Sequence, residues 1–210
     1  MKPSRLIDPA DRERIEEAVR AAEAGTSGEI VVQVVRRSDA FAASSWRLAV
    51  LAASVVFLAA GWLVPQLSLL ALFGLQGAAV AVAHVACQID FVRRLCIRED
   101  ELERAAGRGA HAAFLQHVAK RTKARTGILI YVSLLEHRVV VLGDEAIGRA
   151  LRPDETWEAV VDCVLDGLRA GRATEGIVCA VERCGAMLAH PLPPAQNDRD
   201  EIVHGLILAD

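Results

Sequence analysis

Two long apolar runs, nearly free of charge, lie between Trp46 and Ile89 and constrain this chain more than any other feature. From Leu48 to Val64 no residue carries a formal charge, and Trp46 and Arg47 extend the run with an interfacial aromatic and a cation able to snorkel. At ~1.5 Å per residue, a helix over 46–64 covers about 28 Å, close to the ~30 Å hydrocarbon thickness of a bilayer. Pro65, Gln66, Leu67 and Ser68 read as a tight turn, and 69–89 is a second apolar run, uncharged when His84 is neutral. A link this short makes the helices antiparallel, so residues 46–89 are expected to form a hairpin that crosses a bilayer twice. The competing reading, a hairpin buried in a water-soluble core, fits two consecutive runs of this length poorly.

The cations around the hairpin set an expected orientation. Arg36, Arg37 and Arg47 precede the first run or open it, Arg93, Arg94 and Arg98 follow the second, and the turn carries no Lys or Arg. Both flanks are therefore expected in the cytoplasm, with the hairpin in the inner (plasma) membrane. From Met1 through Glu23 the chain is charged throughout and lacks the apolar core of a secretory signal, so the first span is expected to act as the targeting signal. Gln76 and His84 are polar residues within the second run, and intramembrane polar groups are functional suspects. A hydrogen bond to the partner helix or to a carbonyl is the simpler role, because one Gln and one His near the interface make a poor ion path. Small residues four apart at Ala49/Ala53, Gly74/Ala78 and Gly77/Ala81 permit close helix packing.

The flanks have an ordinary globular mixture and read as one α/β domain interrupted by the hairpin: residues 1–45, then 90–190, then a tail over 191–210. Asp8 followed by Pro9 predicts a capped helix start, with Ile15, Val19 and Ala22 as an apolar stripe ending at Gly25. Glu29–Val35, EIVVQVV, has the continuous apolar pattern of a strand covered on both faces. Helical composition runs from Glu99 to Arg125, with breaks expected at Gly107 and Gly109 and a buried stripe at Ala110, Ala113, Phe114, His117 and Val118. Residues 127–135 and 138–142 predict two further strands joined by a two-residue turn at Glu136 and His137. The first strand, a helical crossover and the second strand then form a βαβ arrangement. Beyond Pro153, the residues Trp157, Val160, Val161, Val164, Leu165 and Leu168 trace an amphipathic helix that Gly171 ends. A last helix is expected to start with Thr174 as its cap and to turn Ile177, Val178, Val181, Cys184 and Leu188 inward, and 201–210 can dock as an extended segment.

Net charge is −3 with a pI near 6.1, and no Lys/Arg cluster is interleaved with aromatic residues, so no nucleic-acid partner is expected. The five cysteines, Cys87, Cys96, Cys163, Cys179 and Cys184, are odd in number and lack a CxxC pair. They read as small buried hydrophobes in a reducing compartment, with neither a disulfide framework nor a zinc site.

Four stretches in this order resemble the TPM-domain family, in its bacterial membrane form with a helical hairpin. They are SGEIVVQVV (27–35), the A-x-x-x-F of Ala110 and Phe114, RTGILIYVSLLEHRVVVLGDEAI (125–147) and LRAGRATEGIVCAVERCGAMLA (168–189). The resemblance covers most of the chain outside the hairpin, and the TGILIYVS…RVVVLGD pairing is its most specific part. It implies a small α/β domain with helices packed on a central sheet. It also implies two functional classes: acid phosphatases or calcium binders, and non-enzymatic modules that assemble or maintain membrane complexes. Members with an acidic site carry Asn or Asp just before the Gly that opens the central strand, whereas this chain has Lys123, Ala124, Arg125 and Thr126 before Gly127. That departure replaces oxygen ligands with cations, against a Ca²⁺ site.

A hydrolytic or metal site would need converging carboxylates. Glu29 at a strand start, Asp144 and Glu145 after another strand, and Glu175 at a helix start are the weak catalytic or metal-ligating candidates. Each has a structural alternative as a charged strand entrance or a helix-dipole partner. No HExxH, P-loop, GxGxxG or nucleophile elbow occurs, and His111, His117 and His137 make no acid/base pair. The expected function is a non-catalytic, membrane-anchored adaptor with a membrane-protein partner and no cofactor. The alternative is a phosphatase-like hydrolase or a divalent-metal-binding domain at the membrane.

Overall fold

A computed structural model describes residues 2–120, 126–150, 156–193 and 205–209. Along the chain run α1 (Pro3–Leu6), α2 (Pro9–Glu23), β1 (Glu29–Val35), α3 (Ala42–Leu63), α4 (Leu69–Ala86), α5 (Asp90–Leu95) and α6 (Glu99–His117). Then follow β2 (Gly127–Ser133), β3 (Arg138–Gly143), α7 (Glu145–Ala150), α8 (Trp157–Arg169), α9 (Ala173–Ala189) and β4 (Leu206–Ala209). The chain divides into two compact units, one of residues 1–38 with 103–210, the other of residues 39–102.

The first unit is built on a mixed sheet of order β3-β2-β1-β4. β1 and β2 pair in parallel from Glu29↔Gly127 to Val35↔Ser133, although the whole apolar insertion separates them in sequence. β3 returns antiparallel beside β2, and β4 adds a parallel edge strand beside β1. Alternation along the two central strands serves two cores. Ile30, Val32 and Val34 join Ile128, Ile130 and Val132 on the face covered by α2, α8 and α9. Val31, Val35, Leu129 and Tyr131 meet Ala110, Ala113 and Val118 on the α6 face. Every residue of β1 and β2 is buried, as expected for strands covered on both faces.

Local chemistry explains the element ends. Asp8 caps α2 by accepting from Asp11 N at 2.8 Å, with Pro9 in the first turn where a missing N–H costs nothing. Gly171, at φ +68°, closes the turn between α8 and α9, a conformation open to glycine without strain. The C-terminal expectation of an extended segment holds at Leu206–Ala209, while residues 194–204 lie outside the described residues.

Several expectations are corrected. α6 runs unbroken through Gly107 and Gly109 and ends at His117; of the helix expected on to Arg125, residues 121–125, which include Lys123, Ala124 and Arg125, lie outside the described residues. The physical reason is tertiary. A Cβ at Gly109 would sit 2.5 Å from Tyr131 Oη and 3.0 Å from Ser38 Cβ, so glycine there permits close packing of helix on strand. The two-residue turn is instead four residues, Leu134 to His137, because Leu134 N and Leu135 N still donate to Val35 O and Arg36 O, leaving His137 at φ +52° to reverse the chain. Thr174 does not cap α9. Arg172 precedes the helix and its carbonyl accepts the first helical bond from Gly176 N at 3.1 Å, which places Thr174 buried inside the first turn. The second apolar helix stops at Ala86 rather than Ile89, with Cys87 N donating back to Ala83 O and Ile89 preceding the separate α5. Pro153 lies outside the described residues, and α8 begins at Trp157.

These contacts make the two glycines of α6 respond oppositely to the same change. Nothing lies within 4 Å of a Cβ at Gly107, so Gly107→Ala is expected to stabilise the protein by ~0.5–1 kcal/mol through helix propensity. Gly109→Ala is expected to destabilise by about 1–3 kcal/mol through overpacking against Tyr131 and Ser38. Thermal unfolding of the detergent-solubilised chain distinguishes the two, and equal shifts of one sign would contradict the close approach.

Candidate functional site

Within the second unit, α3 and α4 are antiparallel neighbours joined at residues 64–68, where Ser68 caps α4 by accepting from Ala71 N at 3.3 Å. Two stretches, Ser45–Leu63 and Leu69–Ala86, are long and apolar enough to cross a membrane, and only 11% and 6% of them is buried. Trp62 and Leu70 are 84% and 85% exposed, and Leu58, Leu69 and Phe73 are similarly open. A water-soluble protein rarely leaves so large a contiguous apolar surface uncovered. Cations border it. Arg47 forms a two-oxygen contact with Glu101 at 2.8 and 2.9 Å, and Arg93 donates from Nε to Cys87 O at 3.0 Å, satisfying a carbonyl at the α4 end. Phe91 and Leu95, four apart on α5, are each 71% exposed.

In the first unit the nominated carboxylates do not form one site. Glu29 and Asp144 do share an end of the sheet, where Glu29 pairs with Gly127. There Asp144 works as a structural pin: its backbone N donates to Gly127 O at 3.0 Å, its Oδ2 accepts from Gly127 N at 3.2 Å, and its carbonyl receives Ile147 N of α7. Glu145 stands in the first turn of α7, a position the helix dipole favours. Glu175 lies near the opposite end of α9 from Leu188, the residue that packs at Gly28 just before β1. Thirteen helical residues, about 20 Å, separate those two positions. Among the described residues, no three His, Cys, Asp or Glu side chains group closely enough to hold a metal ion.

The structure gathers a polar cluster that the sequence did not nominate, at the carboxyl ends of β1 and β2. Tyr131 donates its hydroxyl to Ser38 Oγ at 3.0 Å, Ser38 donates to Ser133 Oγ at 3.0 Å, and Ser133 donates to Glu136 Oε2. Glu136 also accepts the Ser38 backbone N–H at 2.7 Å and is fully buried. Ligands of open α/β sheets bind outside the carboxyl ends of the strands. Here that region is closed by a chain in which each hydroxyl donates once, so the cluster latches the segment leaving β1 to the turn after β2. Its sequence signal was faint: a lone Ser ending an apolar strand and a Glu in the turn beyond it.

The cysteines also depart from expectation. Cys163 of α8 and Cys179 of α9 are joined as a disulfide with Cα atoms 5.9 Å apart, within the usual disulfide range. They fall on facing positions of two antiparallel helices, a juxtaposition that linear spacing does not reveal. Cys184 and Cys87 are buried as expected, and burial pushes the Cys184 thiol up to about 12.

Fold and surface together define a helix-covered α/β domain interrupted by an exposed apolar helical hairpin. No protein-family model matches the chain, and no curated protein matches it. Among solved structures, the chain is similar to the NMR structure of BA42 protein from the psychrophilic bacterium Bizionia argentinensis, with a TM-score of 0.59 and 19% identity. That match covers 96% of this chain and 94% of the other, and it shows a shared fold.

Tyr131 offers a direct probe of the latch, because it is the chain's single tyrosine. Burial raises its pKa above the usual 10; the Ser38 hydrogen bond lowers it and the nearby Glu136 charge raises it further. The folded state therefore holds the phenolic proton longer than the unfolded chain. The associated stability is present below pH ~10 and is lost as pH rises through the folded value. An ultraviolet titration should show ionisation above that of free tyrosine, moving down in Glu136→Gln, and an unchanged midpoint in that variant would contradict the latch.

Proposed function

We propose that this chain is a membrane-anchored adaptor. In this reading the hairpin spans the inner membrane, the α/β unit is a TPM-like domain on the cytoplasmic side, and that domain engages a membrane-protein partner. The observation that carries the proposal is the exposure of two consecutive apolar helices, Ser45–Leu63 and Leu69–Ala86, each of spanning length. Lipid supplies the solvent these faces lack, and an α-helical hairpin satisfies its own backbone hydrogen bonds there. The arginine borders, with no cation in the connecting turn, support cytoplasmic flanks.

A non-catalytic role is supported by what the nominated acids do. Asp144 pins the sheet end, and Glu175 stands about 20 Å along α9 from the helix end that packs near β1. Confinement to the membrane supplies effective concentration: a weakly binding domain meets a membrane-bound partner far more often than from free solution.

Fractionation tests the anchor. The full chain is expected to remain with membranes through high-salt and alkaline washes and to come off only in detergent; a monomeric chain in plain buffer overturns the reading. A reporter fused after Asp210 should be active in the cytoplasm, and one inserted between Pro65 and Ser68 should be active only outside it. Affinity capture from detergent-solubilised membranes should retain a specific membrane protein. Purified chain should not turn over a phosphomonoester with Ca²⁺ or Mg²⁺. Turnover lost in Asp144→Ala, with the thermal midpoint unchanged, would establish the hydrolase instead.

A further inference from the structure

Cys163 and Cys179 differ from the other three cysteines in their setting. Cys184 is fully buried in the α9 core, and Cys87 and Cys96 belong to the unit that carries the hairpin. Cys179 is exposed on α9 and Cys163 half-buried on α8, so one sulfur of the pair can be approached from solvent. They line a surface groove of about 450 Å³. Asp162 and Asp166 border it from α8, Arg172 precedes α9, and Glu175 and Arg183 flank Cys179 by one turn on either side.

The proximity of the two cysteines does not depend on their bond. One turn away, Gly167 and Gly176 let α8 and α9 meet backbone to backbone: a Cβ on Gly167 would lie 2.5 Å from Gly176 Cα, and one on Gly176 would lie 2.8 Å from Cys163 O. Beneath them Val160, Val164, Ile177 and Val181 are fully or nearly fully buried in the main core. Packing of this density keeps the helices together with or without the crosslink, so opening the disulfide leaves the two thiols in reach of each other.

We propose that Cys163 and Cys179 form a reversible thiol–disulfide exchange site whose co-substrate is a small, carboxylate-bearing thiol, with Cys179 as the attacked sulfur. This assignment rests on the cytoplasmic orientation proposed above, where such thiols are abundant and static disulfides are rare. The thiolate of the small molecule bonds to Cys179 Sγ, the Cys163–Cys179 bond breaks, and Cys163 departs as a thiolate that takes up a proton. A second small thiol then attacks its fellow in the mixed disulfide, and Cys179 leaves and is protonated. Two small thiols become one small disulfide, and the protein gains two electrons and two protons. The open groove gives a small thiol access to Cys179, and among its charged groups, Asp162, Asp166 and Glu175 with Arg172 and Arg183, the two arginines are those that can pair with its carboxylates.

The test equilibrates the full chain in detergent micelles with glutathione and glutathione disulfide at graded ratios. The reaction is quenched with acid, unfolded thiols are alkylated, and products are counted by mass spectrometry. Three thiols per chain, those of Cys87, Cys96 and Cys184, are expected at oxidising ratios and all five at reducing ratios, reversibly and with the helical signal intact. A count fixed at either value across all ratios overturns the proposal. Cys163→Ser should accumulate the glutathione adduct on Cys179, whereas Cys179→Ser should lose most adduct formation; equal adducts in both overturn the assignment of the attacked sulfur. The reporter after Asp210 separates the two readings. Exchange in micelles with the reporter outside sinks the cytoplasmic assignment, while a cytoplasmic reporter with no exchange sinks the redox site and leaves the orientation standing.

Discussion

The parallel pairing of β1 with β2 is the interaction on which the rest of this structure depends. Seven consecutive residue pairs, Glu29↔Gly127 through Val35↔Ser133, join strands that the entire hairpin insertion separates. Loop closure rises only slowly with loop length, each doubling costing about 0.6 kcal/mol, so a long insertion is a minor entropic burden if the strands gain enough by pairing. They gain it from burial on both faces. Ile30, Val32 and Val34 look into one core and Val31 and Val35 into the other, so a register slip of one residue would exchange the two sets. β3 and β4 then attach to the two sides of a pair already specified.

The two units expose different kinds of surface. In the α/β unit, burial and hydrogen bonding follow the rules of water: apolar residues face inward, and a buried carboxylate such as Glu136 has its oxygens engaged by Ser38 and Ser133. In the other unit the apolar residues of α3 and α4 point outward, while helical hydrogen bonding leaves few backbone groups to satisfy. Such a surface is costly in water and ordinary in lipid. Within that second unit Arg93 closes the α4 end and Arg47 is held by Glu101.

Much of this was legible in the sequence wherever one residue type determines one local outcome. The unbroken apolar run EIVVQVV announced a doubly covered strand, Asp8-Pro9 a capped helix, and the spacing from Trp157 to Leu168 an amphipathic helix. What escaped depended on partners distant in sequence. Gly109 reads as a helix breaker until Tyr131 is seen to need its missing Cβ. Glu136 reads as a turn residue until Leu134 and Leu135 are found still bonded to the β1 side, which lengthens the turn and brings the carboxylate under Ser38. Glu29, Asp144 and Glu175 looked equivalent as carboxylates at element ends. Only the sheet topology shows that two share one end and that α9 carries the third elsewhere.

The cysteines show how far a compositional rule reaches. An odd count without CxxC led to the expectation of five unpaired cysteines, and the Cys163–Cys179 disulfide overturns it for two of them, while Cys87, Cys96 and Cys184 are free. The rule could not register a single pair formed by geometry alone. Cys163 and Cys179 sit on successive helices whose reversal at Gly171 brings their outward positions together, as it brings Gly167 onto Gly176 in the layer beside them. The glycine contact fixes the helix separation and the cysteines occupy what that separation offers, so the bond is a consequence of the packing. That order of cause is what the exchange proposed above requires of the packing. A fold held by its core tolerates either state of the pair, whereas a fold held by the bond would tolerate one.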